Sequence, residues 1–362
     1  MAPCRRIGWS ALVLIVVSSL LLAACGSAAT PAPTSAPAAT SAPAATSAPA
    51  AAAAGGKTFK VGLIHPSPIT DSWSGQAYKG LLLVQSQLGA EINHVEVADP
   101  AGFEKAFSDY GSQGYDVVIA HGYQYDDAAK KVAPQFPNTY FLVMNGSNVG
   151  PNLSGINTIP GYNETMYAIG LVAGKISKTH KAAAFTLEMP ATKQPLEEFK
   201  AGFENTPGNQ CSIVTLNDQN DVGAAKEAAL QAMSNGADII TANANLAGTG
   251  VWQAVAAQGG DKVFAVGTIS DVNSQAPKNM LFSAGNDLSA SILAIVKSIK
   301  DGTVARGQAI SIHLSTPGGP AVYPIIWNPN IDPSVMTPAL QQELQDDLGK
   351  IASGSLQVPA VQ

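Results

Sequence analysis

From residue 57 onward, short apolar or β-branched runs alternate with amphipathic stretches. The runs fall at 59–64 (FKVGLI), 94–98 (HVEVA), 116–120 (DVVIA), 139–144 (TYFLVM), 181–186 (KAAAFT), 212–216 (SIVTL), 238–241 (DIIT) and 262–267 (KVFAVG). Helical periodicity fills stretches such as 75–88, 102–112, 221–235 and 249–258. Each run has the length of a strand and is apolar enough to be buried on both faces, so the alternation predicts α/β architecture with parallel sheets covered by helices. Two successive groups of about four units, separated near Ser177 and Lys178 after a long helix, predict two Rossmann-like lobes.

The first 56 residues follow neither period. Arg5 and Arg6 precede an apolar run from Trp9 to Ala24 that ends in Leu22-Ala23-Ala24-Cys25. The run is shorter than the ~20 residues that span a bilayer, and small residues close it, which predicts a secretory signal over residues 1–24. The tetrad resembles a bacterial lipobox, which makes Cys25 the expected lipidation site and the first residue of the mature chain. An uncleaved anchor, or cleavage without lipid, fits the length and flanks less well. Residues 25–56 are almost entirely Ala, Pro, Ser and Thr. A proline every few residues forbids helix and nothing there can build a core, so a disordered, partly extended tether is expected.

Composition narrows the function classes. The chain carries 20 basic and 26 acidic residues; loss of Arg5 and Arg6 leaves 18 against 26, a net charge near −8 with no basic stripe. Nucleic acid is excluded as an expected partner. Cys4 leaves with the signal and Cys25 takes lipid, so Cys211 stands alone, with no disulfide, redox pair or zinc motif open to it. The VTL run directly after it marks Cys211 as a small residue at a strand start.

In open parallel sheets, ligands sit beyond the carboxyl ends of the strands. The residues there are Asp71 and Trp73 after the first run, His121-Gly122-Tyr123-Gln124-Tyr125 after the third, Leu187-Glu188-Met189 after the fifth, Asn243 to Gly250 after the seventh, and Thr268 to Asp271 after the eighth. Aromatics, amides and single carboxylates in one cleft suit a flat, hydrogen-bonding small molecule. Each residue has a plainer alternative: Trp73 as a hydrophobic staple, Asp71 as a helix cap, one of Tyr123 and Tyr125 buried by period-two alternation, Asn243 to Gly250 as an ordinary strand-to-helix turn. His121 has no His or Cys at metal-ligand spacing and is expected as a cleft hydrogen bond or a strand-end core residue.

The segments VGLIHPSPITDSWSGQAYKGL, VVIAHGYQYDDAA, NETMYAIGLVAGKISKTHKAAAF, GADIITANANLAGTGVWQA and IASGSLQVP, in this order behind a lipobox, resemble the basic membrane protein family of ABC-transporter solute-binding lipoproteins. The resemblance covers residues 57–358 and implies a type I periplasmic-binding-protein-like fold whose lobes, 57–178 plus 268–300 and 179–267 plus 301–358, are joined by crossover hinges. Members of that family bind nucleosides or purines. Asp71 and Trp73 match its first loop, and Gly122 with Tyr123 its third. Two ribose-contacting positions depart: Ile269 stands where the pattern has an acid, with Asp271 keeping the second acid, and Asn286 stands where it has a lysine. The missing grip on ribose hydroxyls favours a free nucleobase or related heterocycle.

An enzyme needs a nucleophile with a base, a metal set or paired carboxylates. No G-x-S-x-G, G-x-x-x-x-G-K, H-E-x-x-H or G-x-G-x-x-G motif occurs where it would serve, and the five histidines are scattered singly. The reading is therefore a non-enzymatic, cofactor-free, metal-free, monomeric receptor, lipid-anchored on the extracytoplasmic face. It would bind its ligand through Asp71, Trp73, Gly122, Tyr123, Met189, Asn243, Asp271 and Asn286, and serve a permease driven by a separate ATPase. Alternatives are a ligand sensor for a membrane kinase or chemoreceptor, and a sugar-type binding protein.

Overall fold

The computed structural model describes residues 58–70 and 72–360. The expected signal, Cys25, the tether and Asp71 lie outside the described residues. The first half alternates as the hydrophobic pattern requires: β1 (Lys60–His65), α1 (Ser72–Leu88), β2 (Glu91–Glu96), α2 (Phe103–Ser112), β3 (Val117–Ala120), α3 (Asp126–Val132), β4 (Tyr140–Met144) and β5 (Leu153–Asn157). The second half repeats the plan with α4 (Ile159–Ile176), β6 (Lys181–Leu187), α5 (Pro190–Glu204), β7 (Gln210–Leu216), α6 (Val222–Ser234), β8 (Ile239–Asn243), α7 (Gly248–Ala256), β9 (Phe264–Ile269) and β10 (Met280–Gly285). It then returns through α8 (Leu288–Lys300), β11 (Ile310–Ser311), α9 (Gly319–Val322), β12 (Ile325–Trp327) and α10 (Pro338–Ala352).

These strands form two six-stranded sheets, ordered β11-β5-β4-β3-β1-β2 and β12-β10-β9-β8-β6-β7. Within them every pairing is parallel except β10 with β12. Each central strand is apolar on both faces because helices cover both. In β3, Val117 and Ile119 join the core that α1, α4 and α8 help to build, while Val118 and Ala120 face the aromatic cluster of Phe103, Phe107 and Tyr125. At the edge, β2 is exposed at most positions. Its register with β1, Lys60 opposite Glu91, starts it three residues before the expected run because an edge strand needs no apolar alternation.

Sheet membership divides the chain at other points than 178, 267 and 300. The α4 helix packs on α5 of the second sheet, and the two backbones touch where Gly170 meets Gly202. A Cβ on Gly170 would lie 2.2 Å from the Phe199 carbonyl oxygen, and one on Gly202 2.1 Å from that of Tyr167. The chain therefore leaves the first sheet at Thr158, before α4. β9 and β10 pair within the second sheet, and β11 pairs with β5 of the first. The chain thus passes between the sheets three times: at Thr158, at Asn286 and Asp287, and over residues 312–324. No helix among the described residues is long and apolar enough to cross a membrane.

Hydrogen bonds stitch the three crossovers together. Tyr323 donates to the carbonyls of Thr158 (2.7 Å) and Ile312 (3.0 Å), linking the first to the third. Asn286 Nδ2 reaches Thr158 Oγ1 at 3.4 Å, linking the second to the first. Burial pushes the Tyr323 phenol well above its ordinary range, so it stays a neutral donor.

Candidate functional site

The apolar surface is unevenly distributed. Eight large hydrophobic side chains among the described residues are exposed: Trp73, Leu82, Val95, Tyr123, Val149, Met189, Leu246 and Ile269. Scattered exposed apolar residues need no explanation, but six of these eight, all except Leu82 and Val95, end a strand or lie in the segment following one. Both sheets contribute to this exposed apolar set at their strand ends.

On the first sheet, Trp73 lies in the opening turn of α1 with 38% of its surface exposed. The buried His121, at the end of β3, backs it: ring centroids are 4.3 Å apart, tilted by 31°, and His121 Nε2 donates to the Trp73 carbonyl at 3.1 Å. His121 is thus a strand-end core residue that holds the indole. The loop before α1 is pinned as well. Because the Ser67 carbonyl can only accept, His65 Nδ1 donates to it at 2.7 Å, which leaves His65 Nε2 to accept from His94 Nδ1 at 3.0 Å. Burial first, and the neighbouring His65 second, lower the His94 pKa below its ordinary value.

Beyond β3 the chain turns at Gly122, whose φ of 142° only glycine adopts readily, and Tyr123–Tyr125 form a single 3-10 turn, whose three-residue period, unlike the period two of a strand, points its two tyrosines in different directions. Tyr123 is 74% exposed, whereas Tyr125 is fully buried and donates to the Val97 carbonyl at 2.7 Å. Asp126 then holds the loop after β4, its Oδ2 accepting from the backbone amides of Ser147 (2.9 Å) and Asn148 (3.0 Å).

The second sheet offers a different set. Met189, at the N-terminal boundary of α5, is exposed. Asn243 is buried, and its Nδ2 lies 3.4 Å from the Thr192 carbonyl, so it braces its own lobe. Asp271 is exposed, and its Oδ1 accepts from the Asn273 amide at 3.0 Å in a local turn. Asn286, at the second crossover, is half-buried, with its Oδ1 buried and unpartnered. The structure therefore gathers Trp73, Gly122 and Tyr123 on one sheet's ends, and Met189 and Asn286 on the other's, with Asn243 behind them.

Tyr162 did not emerge from the sequence, and Leu246 lay within the candidate segment Asn243 to Gly250 without being singled out. The phenol of Tyr162, buried in the first turns of α4, accepts from the Ile269 amide at 2.9 Å and donates to the Ala284 carbonyl at 3.3 Å. Burial raises its pKa well above the ordinary range. Cys211 is buried in β7, and burial pushes its thiol up to about 12, which keeps it unreactive. Among the described residues no group of His, Cys, Asp and Glu could hold a metal ion.

Comparison with known proteins fits this geometry. The family model described as ABC transporter substrate-binding protein PnrA-like matches residues 58–360. A transcriptional activator protein, med, from Bacillus subtilis is 25% identical over 260 residues, 70% of this chain and 78% of that protein. A purine-binding protein from Brucella abortus is 27% identical over 250 residues, 67% of this chain and 69% of that protein. Among solved structures, an ABC-transporter solute-binding protein from Conexibacter woesei superposes with a TM-score of 0.63 at 21% identity, covering 83% of this chain and 99% of that one; the shared fold is that of type I periplasmic binding proteins.

Proposed function

This chain belongs to the PnrA-like family of ABC-transporter substrate-binding proteins, and we propose that it is the solute receptor of an importer, closing its two lobes around a flat, purine-like heterocycle. The concentration of exposed apolar side chains at the strand ends of both sheets carries the reading. An indole with a rigid backing offers a stacking face for a planar ring, and amides at the crossovers offer hydrogen bonds to its edge. A relative that bears the name purine-binding protein supports the same ligand class. Ile269 and Asn286, an aliphatic group and a neutral amide, favour a free base over a nucleoside.

Closure about the three crossovers buries the ligand, and the closed form is what a permease recognises, with a separate ATPase supplying energy. Lipidation at Cys25, with residues 26–56 as spacer, holds a monomeric receptor on the extracytoplasmic face near that permease, where tethering raises its effective concentration. The test is a thermal-shift panel on residues 57–362 with purine bases, nucleosides, pyrimidines and sugars. A tight ligand raises the melting temperature by mass action, and a purine base is expected to raise it most. A shift with sugars alone would overturn the reading.

A second reading, ligand sensing, is favoured by the relative named as a transcriptional activator. Ligand-dependent stimulation of a permease and ATPase pair in proteoliposomes separates transport from sensing.

A further inference from the structure

Accessible sulfur in the described chain is confined to one side chain. Of the methionines among the described residues, Met144, Met166, Met280 and Met336 are buried and Met233 is half-buried on α6. Met189 alone is exposed, with 40% of its surface open. Cys211 is closed off by burial, which also pushes its thiol up to about 12. A thioether needs no ionisation to react with a two-electron oxidant, so access to the sulfur decides which methionine is oxidised first.

The backbone of Met189 is held on both sides. Its amide donates to the Leu187 carbonyl at 2.8 Å, and its carbonyl accepts from the amides of Thr192 (3.1 Å) and Lys193 (2.9 Å) and from the Thr192 hydroxyl (3.1 Å). The turn into α5 thus fixes the main chain while the side chain lines a cavity of about 460 Å³, shared with Leu187, Glu188 and residues 215–219 at and beyond the end of β7. The two carboxylates of this cavity are already engaged, Glu188 by Lys193 Nζ at 2.7 Å and Asp218 by the Asn220 amide at 2.8 Å. Ionised carboxylates only accept hydrogen bonds, so they offer nothing to a further acceptor placed beside them.

We propose that Met189 is an oxidation site, and that its conversion to the sulfoxide switches the receptor to weak solute binding. This rests on the reading of the strand ends as the solute cleft. A peroxide supplies the oxygen. The sulfur lone pair attacks one peroxide oxygen, the O–O bond breaks as the S–O bond forms, and the proton on the transferred oxygen passes to the departing hydroxide, which leaves as water. The sulfur loses two electrons and the peroxide gains them. A flexible apolar side chain thereby becomes a polar one. In the open state water solvates the new oxygen. Closure over a flat ring strips that water away, and the neighbouring carboxylates cannot replace it, so the closed, ligand-bound form is the one that is penalised. Bound solute in turn covers the sulfur and slows its oxidation. A methionine sulfoxide reductase removes the oxygen, which makes the change reversible.

Treatment of the purified protein with hydrogen peroxide tests this, with the oxygen located by peptide mass spectrometry and the affinity for adenine, guanine, hypoxanthine and their nucleosides measured by isothermal titration. Met189 is expected to take up oxygen before any other described methionine, and its sulfoxide to weaken the bound ligand by about tenfold. Methionine sulfoxide reductase should restore the affinity, and ligand present during treatment should slow the uptake. Met189→Leu, similar in volume but without sulfur, should show one affinity before and after treatment, whatever that affinity is. Met189→Gln, polar without any oxidant, should bind as weakly as the oxidised wild type. Earlier uptake at another methionine overturns the proposal, as does an oxidised Met189 with undiminished affinity, or a treated Met189→Leu that loses as much affinity as the wild type. An untreated wild type that binds no base or nucleoside overturns the reading of the cleft and the proposal with it, so the two failures are told apart.

Discussion

The two sheets present different chemistry at their carboxyl ends. The first offers aromatic rings, Trp73 backed by a buried histidine and Tyr123 standing out from a glycine turn, on a loop pinned by a histidine pair. The second offers the flexible or aliphatic side chains of Met189, Leu246 and Ile269, with an amide at the crossover. A rigid aromatic face costs little entropy to use, whereas thioether and aliphatic groups adapt their shape. In the proposed clamp, this difference would give the first sheet the role of capture and the second that of closing over what has been captured.

The largest effect expected falls on the second lobe's scaffold. Gly202→Val forces a side chain into the Tyr167 carbonyl at the α4 and α5 contact. It should cost about 3 kcal/mol or more, read as a loss of melting temperature or of soluble protein. Next comes the contrast between the sheets themselves. Trp73→Ala should weaken base binding by about 1–3 kcal/mol, roughly a 5- to 150-fold rise in Kd, whereas Met189→Ala should cost about 1 kcal/mol or less. Equal losses from the two variants would erase the division into capture and closure.

The smallest effect sharpens the account of the first sheet's histidine pair. The His94 pKa is lowered in the fold from its ordinary 6.5, so below 6.5 the unfolded chain binds the proton more readily. Stability from this group is full above 6.5 and declines as pH falls from there through the lower folded value. His94→Asn should flatten that slope in melting curves recorded between pH 7.5 and pH 5, and an unchanged slope would place the titration elsewhere.

Much of the fold was legible because buried parallel strands are apolar in sequence: FKVGLI, DVVIA, TYFLVM and KVFAVG all mark strands. The second-sheet strand β10 (MLFSAG) and β5 (LSGIN) escaped the run pattern because small and polar residues interrupt them, and β11 and β12 are too short to show a period. The point at which the chain leaves the first sheet was hidden because α4 reads as one long apolar helix from either side. Its close packing on α5 rests on the glycine contact of Gly170 with Gly202, which no apolar period shows. The aromatic half of the site was visible as odd residues after strand ends. Tyr162 and the turn at Ile269, where φ is +68°, were not, since positive φ at isoleucine and a hydroxyl bridging α4 to β9 depend on partners more than a hundred residues away.

The late arrival of β11 and β12 bears on how the molecule is made. Each sheet lacks an edge strand until residues 310 and 325 have been synthesised, and α8, which covers the first sheet beside α1, comes after the second sheet's fifth strand. Neither half of the chain encodes a finished body, so cutting the gene near its middle yields no independent lobe. Contacts of such long sequence separation close slowly. In the proposed exported receptor, that delay would let most of the chain's length emerge from a translocation pore before either sheet has all its strands.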